Sequence, residues 1–141
     1  MTQLNGVRNL RTADALSISG NALTSIEDLH SLTTTRWLEL GENSLGNLSG
    51  LEALQNISQS LQLDGNARLT TIDHFSSLTR LGTELRIINN ASLPACRADA
   101  FLARLQALGF DGTSIIHDNG GTGGCVNAAE PPRARSLTAA R

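Results

Sequence analysis

The sequence predicts a mainly β solenoid, in which short strands stack into one parallel sheet and a C-terminal helix and a final short strand cap the stack. Three observations predict this fold. A Leu-x-Leu block recurs four times, apolar residues recur at every third position between the blocks, and the pattern changes after Asn90. A single coil cannot bury its apolar side alone, so the coils must cover one another.

The repeated block is Leu-x-Leu or Leu-x-Ile, and an asparagine follows three residues after its second apolar residue. The blocks begin at Leu16, Leu38, Leu61 and Leu85, and their asparagines are Asn21, Asn43, Asn66 and Asn90. Successive asparagines are 22, 23 and 24 residues apart. A period in the low twenties is the spacing of leucine-rich solenoids.

Each block predicts a short strand whose two leucines point inward and whose middle residue points outward. The asparagine follows at the turn, where an inward amide can satisfy backbone groups and pair with the next asparagine of the stack. Between blocks, the spacing of Ile26, Leu29 and Leu32 suits neither a long helix nor simple strand alternation. It indicates corners made of short extended segments or 3₁₀ turns.

Two stretches of the repeat resemble the receptor L-domain family: ISQSLQLDGNARLTTI at 57–72 and LGTELRIINNASL at 81–93. The resemblance covers about residues 4–125. It implies a right-handed, leucine-rich-like β-helical solenoid, as in the ectodomains of growth-factor and insulin receptors, and it is similar to modules of bacterial cell-surface proteins. The chain lacks the cysteine-rich segments that flank the receptor domains.

After Asn90 the pattern is typical of a cap that shields the end of a solenoid. Residues 95–108 are rich in Ala, Leu and Arg, which favour a helix. Pro94 is a favourable first helical residue, and Gly109 is a typical helix stop. Residues 113–117 then predict a final short strand.

The predicted helix carries an apolar stripe that should dock on the last coil: Phe101, Leu105 and Leu108. Phe110 should add a further apolar anchor. The sequence therefore predicts one solenoid domain over 1–126, with its cap at about 94–126, and a disordered tail over 127–141.

The two cysteines, Cys96 and Cys125, bracket the predicted cap. A disulfide between them would tie the helix to the tail, and it would indicate an oxidising compartment and hence a secreted or cell-surface protein. Two unpaired thiols, or a reactive thiol at the helix N-terminus, are the alternatives. The chain shows no signal peptide, which leaves a cytoplasmic location open.

Composition argues against several classes of protein. All 11 basic residues are arginines, 13 residues are acidic and the net charge is −2, which disfavours nucleic-acid binding. No apolar run is long enough for membrane insertion. His30, His74 and His117 are too scattered for a metal site, and the glycine-rich segment 120–124 lacks the rest of a phosphate loop. We expect no cofactor, no metal and no catalytic residues.

What the sequence offers for function is the outward face of the sheet. Strand alternation places there a mixed aromatic and polar patch, the candidate ligand-binding residues Trp37, Glu39, Gln62, Arg86 and Ile88. Trp and Arg are enriched at binding hot spots, although Trp37 could instead pack on the edge of the next coil. The sequence predicts a non-enzymatic module that binds a protein or glycan. A structural spacer or adhesin segment and, less favoured, an enzyme are the alternatives.

Overall fold

The computed structural model describes residues 3–120 and has the predicted fold, a mainly β solenoid of parallel strands. One helix and six strands form it: β1 (Thr12–Ser17), β2 (Thr34–Glu39), β3 (Asn56–Asp64), β4 (Arg80–Leu81), β5 (Glu84–Ile88), α1 (Ala95–Ala107) and β6 (Thr113–His117). The sheet order is β1-β2-β3-β5-β6, and β4 pairs with the first residues of β3. Every strand pair is parallel.

The leucine blocks of successive coils lie side by side. Leu16 pairs with Leu38, Leu38 with Leu61, and Leu61 with Leu85. The inward residues of β2, β3 and β5 are completely buried, and with the corner leucines they form one aliphatic core. The predicted final strand, β6, extends the same sheet beside β5.

The corners between strands are built as the three-residue spacing predicts. Backbone bonds between residues three apart, such as Leu51 N–H to the Leu48 carbonyl at 3.2 Å and Leu32 N–H to the Leu29 carbonyl at 2.9 Å, turn the chain. One of these turns is a 3₁₀ helix over Glu27–Leu29. Because each corner turns every third residue inward, Leu48, Leu51 and their equivalents are fully buried.

The asparagines form a ladder between coils. The Asn66 amide donates to the Leu40 carbonyl of the coil before at 2.8 Å, and its Oδ1 accepts from the Asn43 N–H at 3.2 Å. Asn90 repeats the pattern with the Leu63 carbonyl at 2.7 Å and the Asn66 N–H at 2.9 Å. From Asn43 to Asn90, successive asparagines therefore pair side chain to backbone, whereas the Asn90 amide also donates to the side chain of Asn119 at 3.1 Å.

The two ends of the ladder differ from its middle. Asn21 is half-buried, and its amide donates only to carbonyls of its own coil, Ile18 and Ser19. At the other end, Asn119 continues the ladder, since its amide donates to the Ile87 carbonyl at 2.8 Å and its Oδ1 accepts from the Asn90 N–H. This fifth rung was not predicted from the sequence.

Each rung of the ladder is preceded by a residue in the left-handed region. These residues, with their φ angles, are Gly20 (73°), Glu42 (52°), Gly65 (72°), Asn89 (58°) and Asp118 (58°). Gly, Asn and Asp tolerate this region, whereas other residues lose roughly 1–2 kcal/mol there. Glu42 is therefore the one strained member of the set.

Helix α1 docks on the solenoid through Ala98, Phe101 and Leu105, which are 0–6% exposed. The predicted stripe is wrong at Leu108, which lies one residue beyond the helix and is 48% exposed, because the chain turns away there at Gly109. Pro94 is buried but precedes the helix with an extended ψ of 131°, so it is not the first helical residue.

Contacts with the previous coil hold α1 in place. The Phe101 ring stacks on Phe75, with centroids 5.3 Å apart. The Arg104 guanidinium donates to the Phe75 carbonyl at 2.9 Å and to the Leu78 carbonyl at 2.8 Å. The helix thus satisfies corner carbonyls that a further coil would otherwise cover.

The predictions for the C-terminal end fall mostly outside the described residues. Cys96 lies in the first turn of α1, whereas Cys125 lies outside the described range. The disulfide between them therefore stays a prediction, as do the end of the cap at residue 126 and the tail over 127–141.

We expect Asn66→Ala to lower the free energy of unfolding by about 1–3 kcal/mol, because it leaves the Asn43 N–H without its partner and removes the shorter of two hydrogen bonds to the Leu40 carbonyl. Urea denaturation monitored by circular dichroism measures this loss. Asn21→Ala is the matched control, and it should cost less than about 1 kcal/mol, since Asn21 is half-buried and bonds only its own coil. Equal losses of stability in the two variants would contradict the role of Asn66 in joining adjacent coils.

We expect Glu42→Gly to stabilise the protein by about 0.5–1 kcal/mol, because glycine relieves the left-handed strain at a partly offsetting entropic cost. Glu52→Gly is the control. Glu52 is exposed and has no left-handed backbone, so glycine there should be neutral or destabilising. A melting temperature that falls in both variants would refute the strain at Glu42.

Candidate interaction surface

Three rows of side chains cover the outer face of the sheet, which we call the sheet face. Strand alternation points these side chains away from the core, and the parallel register aligns them across the coils. The first row is Ala15, Trp37, Ser60, Glu84 and Thr113; the second is Ser17, Glu39, Gln62, Arg86 and Ile115; the third is Asp64, Ile88 and His117.

Trp37 is one of two large apolar residues that are exposed within residues 3–120, with 39% of its surface accessible. Its neighbours in the row are Ala15 on β1 and Ser60 on β3. Both are too small to cover an indole ring. Trp37 is therefore partly packed on the sheet and partly open to solvent, so it can be contacted from outside.

Two carboxylates of the sheet face are held by neutral donors. Glu39 accepts hydrogen bonds from the hydroxyls of Ser17 at 3.2 Å and Ser19 at 3.0 Å. Glu84 accepts from the Ser60 hydroxyl at 3.1 Å and the Gln62 amide at 3.3 Å. These bonds cross from coil to coil, so they fix both carboxylates in position without neutralising their charge.

Arg86 and Asp64 form an ion pair in which Nε and Oδ2 are 2.5 Å apart. The hydrogen bond that Arg86 donates to Asp64 and the charge of that carboxylate, with a smaller effect of Glu84, raise the pKa of the Arg86 guanidinium above its ordinary value. Arg86 is therefore a permanent cation whose charge Asp64 balances. The other carboxylate oxygen of Asp64, Oδ1, is buried and makes no hydrogen bond.

A shallow concavity of about 300 Å³ lies on the second and third rows. Its lining includes Glu39, Gln62, Asp64, Arg86, Ile88 and Asn89. Four of the five predicted ligand-binding residues thus surround one concavity, while Trp37 lies outside it in the first row. The structure brings together side chains that lie in different coils, between Glu39 and Asn89 along the chain.

One predicted member of the surface is not exposed. Ile88 points outward as predicted but is only 7% accessible. It lies between Asp64 and His117 in register, and neighbouring strands on both sides cover it. Ile88 therefore supplies an apolar wall of the concavity instead of a free contact.

Two residues important to the surface, Asp64 and Glu84, were not among the predicted binding residues. Strand alternation in the sequence places both side chains outward, so their position could be predicted. Their roles depend on partners in neighbouring coils, Arg86 for Asp64 and Ser60 for Glu84, and these pairings require the register between coils. The sequence fixes that register only through the repeat spacing.

Other chemistry is sparse in the part of the chain that the structure describes. No group of three or more His, Cys, Asp or Glu side chains in residues 3–120 could hold a metal ion. In the same range, no helix has the length and apolarity needed to cross a membrane.

The fold and this surface define a class: a capped parallel β-solenoid with an open, polar sheet face. No protein-family model, curated protein or solved structure matches the chain. The class therefore rests on the architecture and its surface residues alone.

Proposed function

We propose that this chain is a non-enzymatic interaction module that binds a protein or glycan through the sheet face. The observation that carries the proposal is the exposed Trp37 beside charged groups that hydrogen bonds hold in place across four coils. Solenoids use such extended faces to recognise partners, and Trp and Arg dominate binding energies at interfaces.

Pre-organisation supports a binding role. Serine hydroxyls fix Glu39, and Asp64 fixes Arg86, before any partner arrives. Binding then costs little side-chain entropy at these positions, which favours affinity. A spacer without a ligand would not require an exposed indole beside oriented charges.

The receptor L-domain resemblance supports the same role. Membership in that family of leucine-rich-like solenoids, and a place in a secreted or surface protein, are parts of the proposal. The Cys96–Cys125 disulfide would fit an oxidising compartment.

We expect the variant Trp37→Ala to bind about three- to tenfold more weakly to any ligand that the wild type captures. The measurement is binding of purified protein to a peptide array and a glycan array, followed by titration of each positive ligand.

Leu108→Ala is the matched control. It removes the other exposed large apolar side chain of residues 3–120, which lies outside the sheet face. It should bind as the wild type does. Equal binding by all three proteins would reject the sheet face as the binding site, and no binding to either array would favour the structural spacer.

A further inference from the structure

Carboxylates outnumber cations on the sheet face. Glu39, Asp64 and Glu84 lie in its rows, and Glu42 lines the concavity at its rim. Arg86 is the one arginine in the rows. Arg36 lies beside the rows on β2 and is paired with Asp14 at 2.7 Å, so that pair adds no net charge.

Arg86 does not neutralise the remaining acids. Its ion pair is with Asp64, and none of the ion pairs within residues 3–120 includes Glu39, Glu42 or Glu84. The partners of Glu39 and Glu84 are neutral hydroxyl and amide groups. The face therefore keeps three uncompensated negative charges.

Trp37 adds a second feature that favours a cation. It lies two residues from Glu39 on β2 and two strands from Glu84 in the same row. The face of an indole ring attracts ammonium and guanidinium groups, and a nearby carboxylate strengthens that attraction. A basic side chain could contact the ring and a carboxylate at once.

The hydrogen bonds already formed on the sheet face disfavour a glycan, the other class of ligand in the proposed function. Both oxygens of Glu39 already accept serine hydroxyls, and one oxygen of Glu84 accepts twice. A neutral sugar, which binds through hydroxyl hydrogen bonds, finds fewer open acceptor sites on these carboxylates and gains nothing from their net charge. A basic group gains from the charge without displacing the hydroxyl and amide donors.

We infer that the sheet face docks an Arg- or Lys-rich segment of a partner protein, by charge complementarity with Glu39, Glu42 and Glu84 and by cation–π contact with Trp37. This inference rests on the proposed function, because it names the partner class of the same surface.

The test uses the 141-residue chain and measures its binding to three fluorescently labelled probes by anisotropy. The probes are an octa-arginine peptide, an octa-glutamate peptide and a neutral maltose oligomer. We expect binding of octa-arginine alone, with an affinity that falls as salt is added. Glu39→Gln/Glu84→Gln should weaken it about three- to tenfold, since each partly exposed charge pair contributes modestly. Trp37→Ala should weaken it by a similar factor.

Glu27→Gln/Glu52→Gln is the control, because it removes the same two charges from exposed positions outside the rows. It should leave the affinity within about twofold of the wild type. If the two double variants weakened octa-arginine binding equally, the attraction would depend on net charge only, and the inference would be overturned.

The other outcomes separate this inference from the proposed function. Binding of the sugar or of octa-glutamate instead of octa-arginine overturns the basic partner, and it keeps the sheet face as the binding surface if Trp37→Ala weakens that binding. Binding of none of the probes also overturns the basic partner. The peptide and glycan arrays then test separately whether the chain binds any ligand through the sheet face. Thermal melts of each variant verify that the fold is intact.

Discussion

The structure depends on the way each coil ends its strand. A left-handed residue turns the chain, and in the middle coils the next residue, a buried asparagine such as Asn66, satisfies the strand-end carbonyl and an N–H of the preceding coil. Unpaired buried backbone groups are costly, so this exchange can be made in only one register. The ladder therefore locks the coils together at the point where parallel strands would otherwise be free to slide.

That register also determines the outer surface. Because side chains alternate along a strand, the same alignment that stacks leucines inside stacks polar residues outside. Glu39 meets the serines of β1, and Asp64 meets Arg86 of β5, only because the coils are aligned residue by residue. The inner wall is uniform and aliphatic, whereas the outer wall is free to vary without loss of core packing.

The sequence predicts the parts of this arrangement that are periodic. Alternation around Leu38 and Leu61 gave the strands and the outward position of Trp37, and the spacing of three gave the corners. The exceptions are local. Between β2 and β3 the register shifts after Thr35, so an extra residue of β3 is absorbed as a bulge and the asparagine spacing changes. Asn119 is a ladder residue that the repeat period does not predict, because α1 lies between it and Asn90.

Burial and charge balance are harder to predict than position, since both depend on neighbours in other coils. Ile88 points outward yet is covered by the strands on either side, and Leu108 fits a helical stripe but follows the last turn of α1. The same reasoning applies to charge. The chain as a whole is nearly neutral at −2, but its single arginine on the sheet rows is already paired, so the local field is negative. A partner approaching this wall is selected by that local field, which acts within about 10 Å at moderate salt, and not by the net charge of the chain.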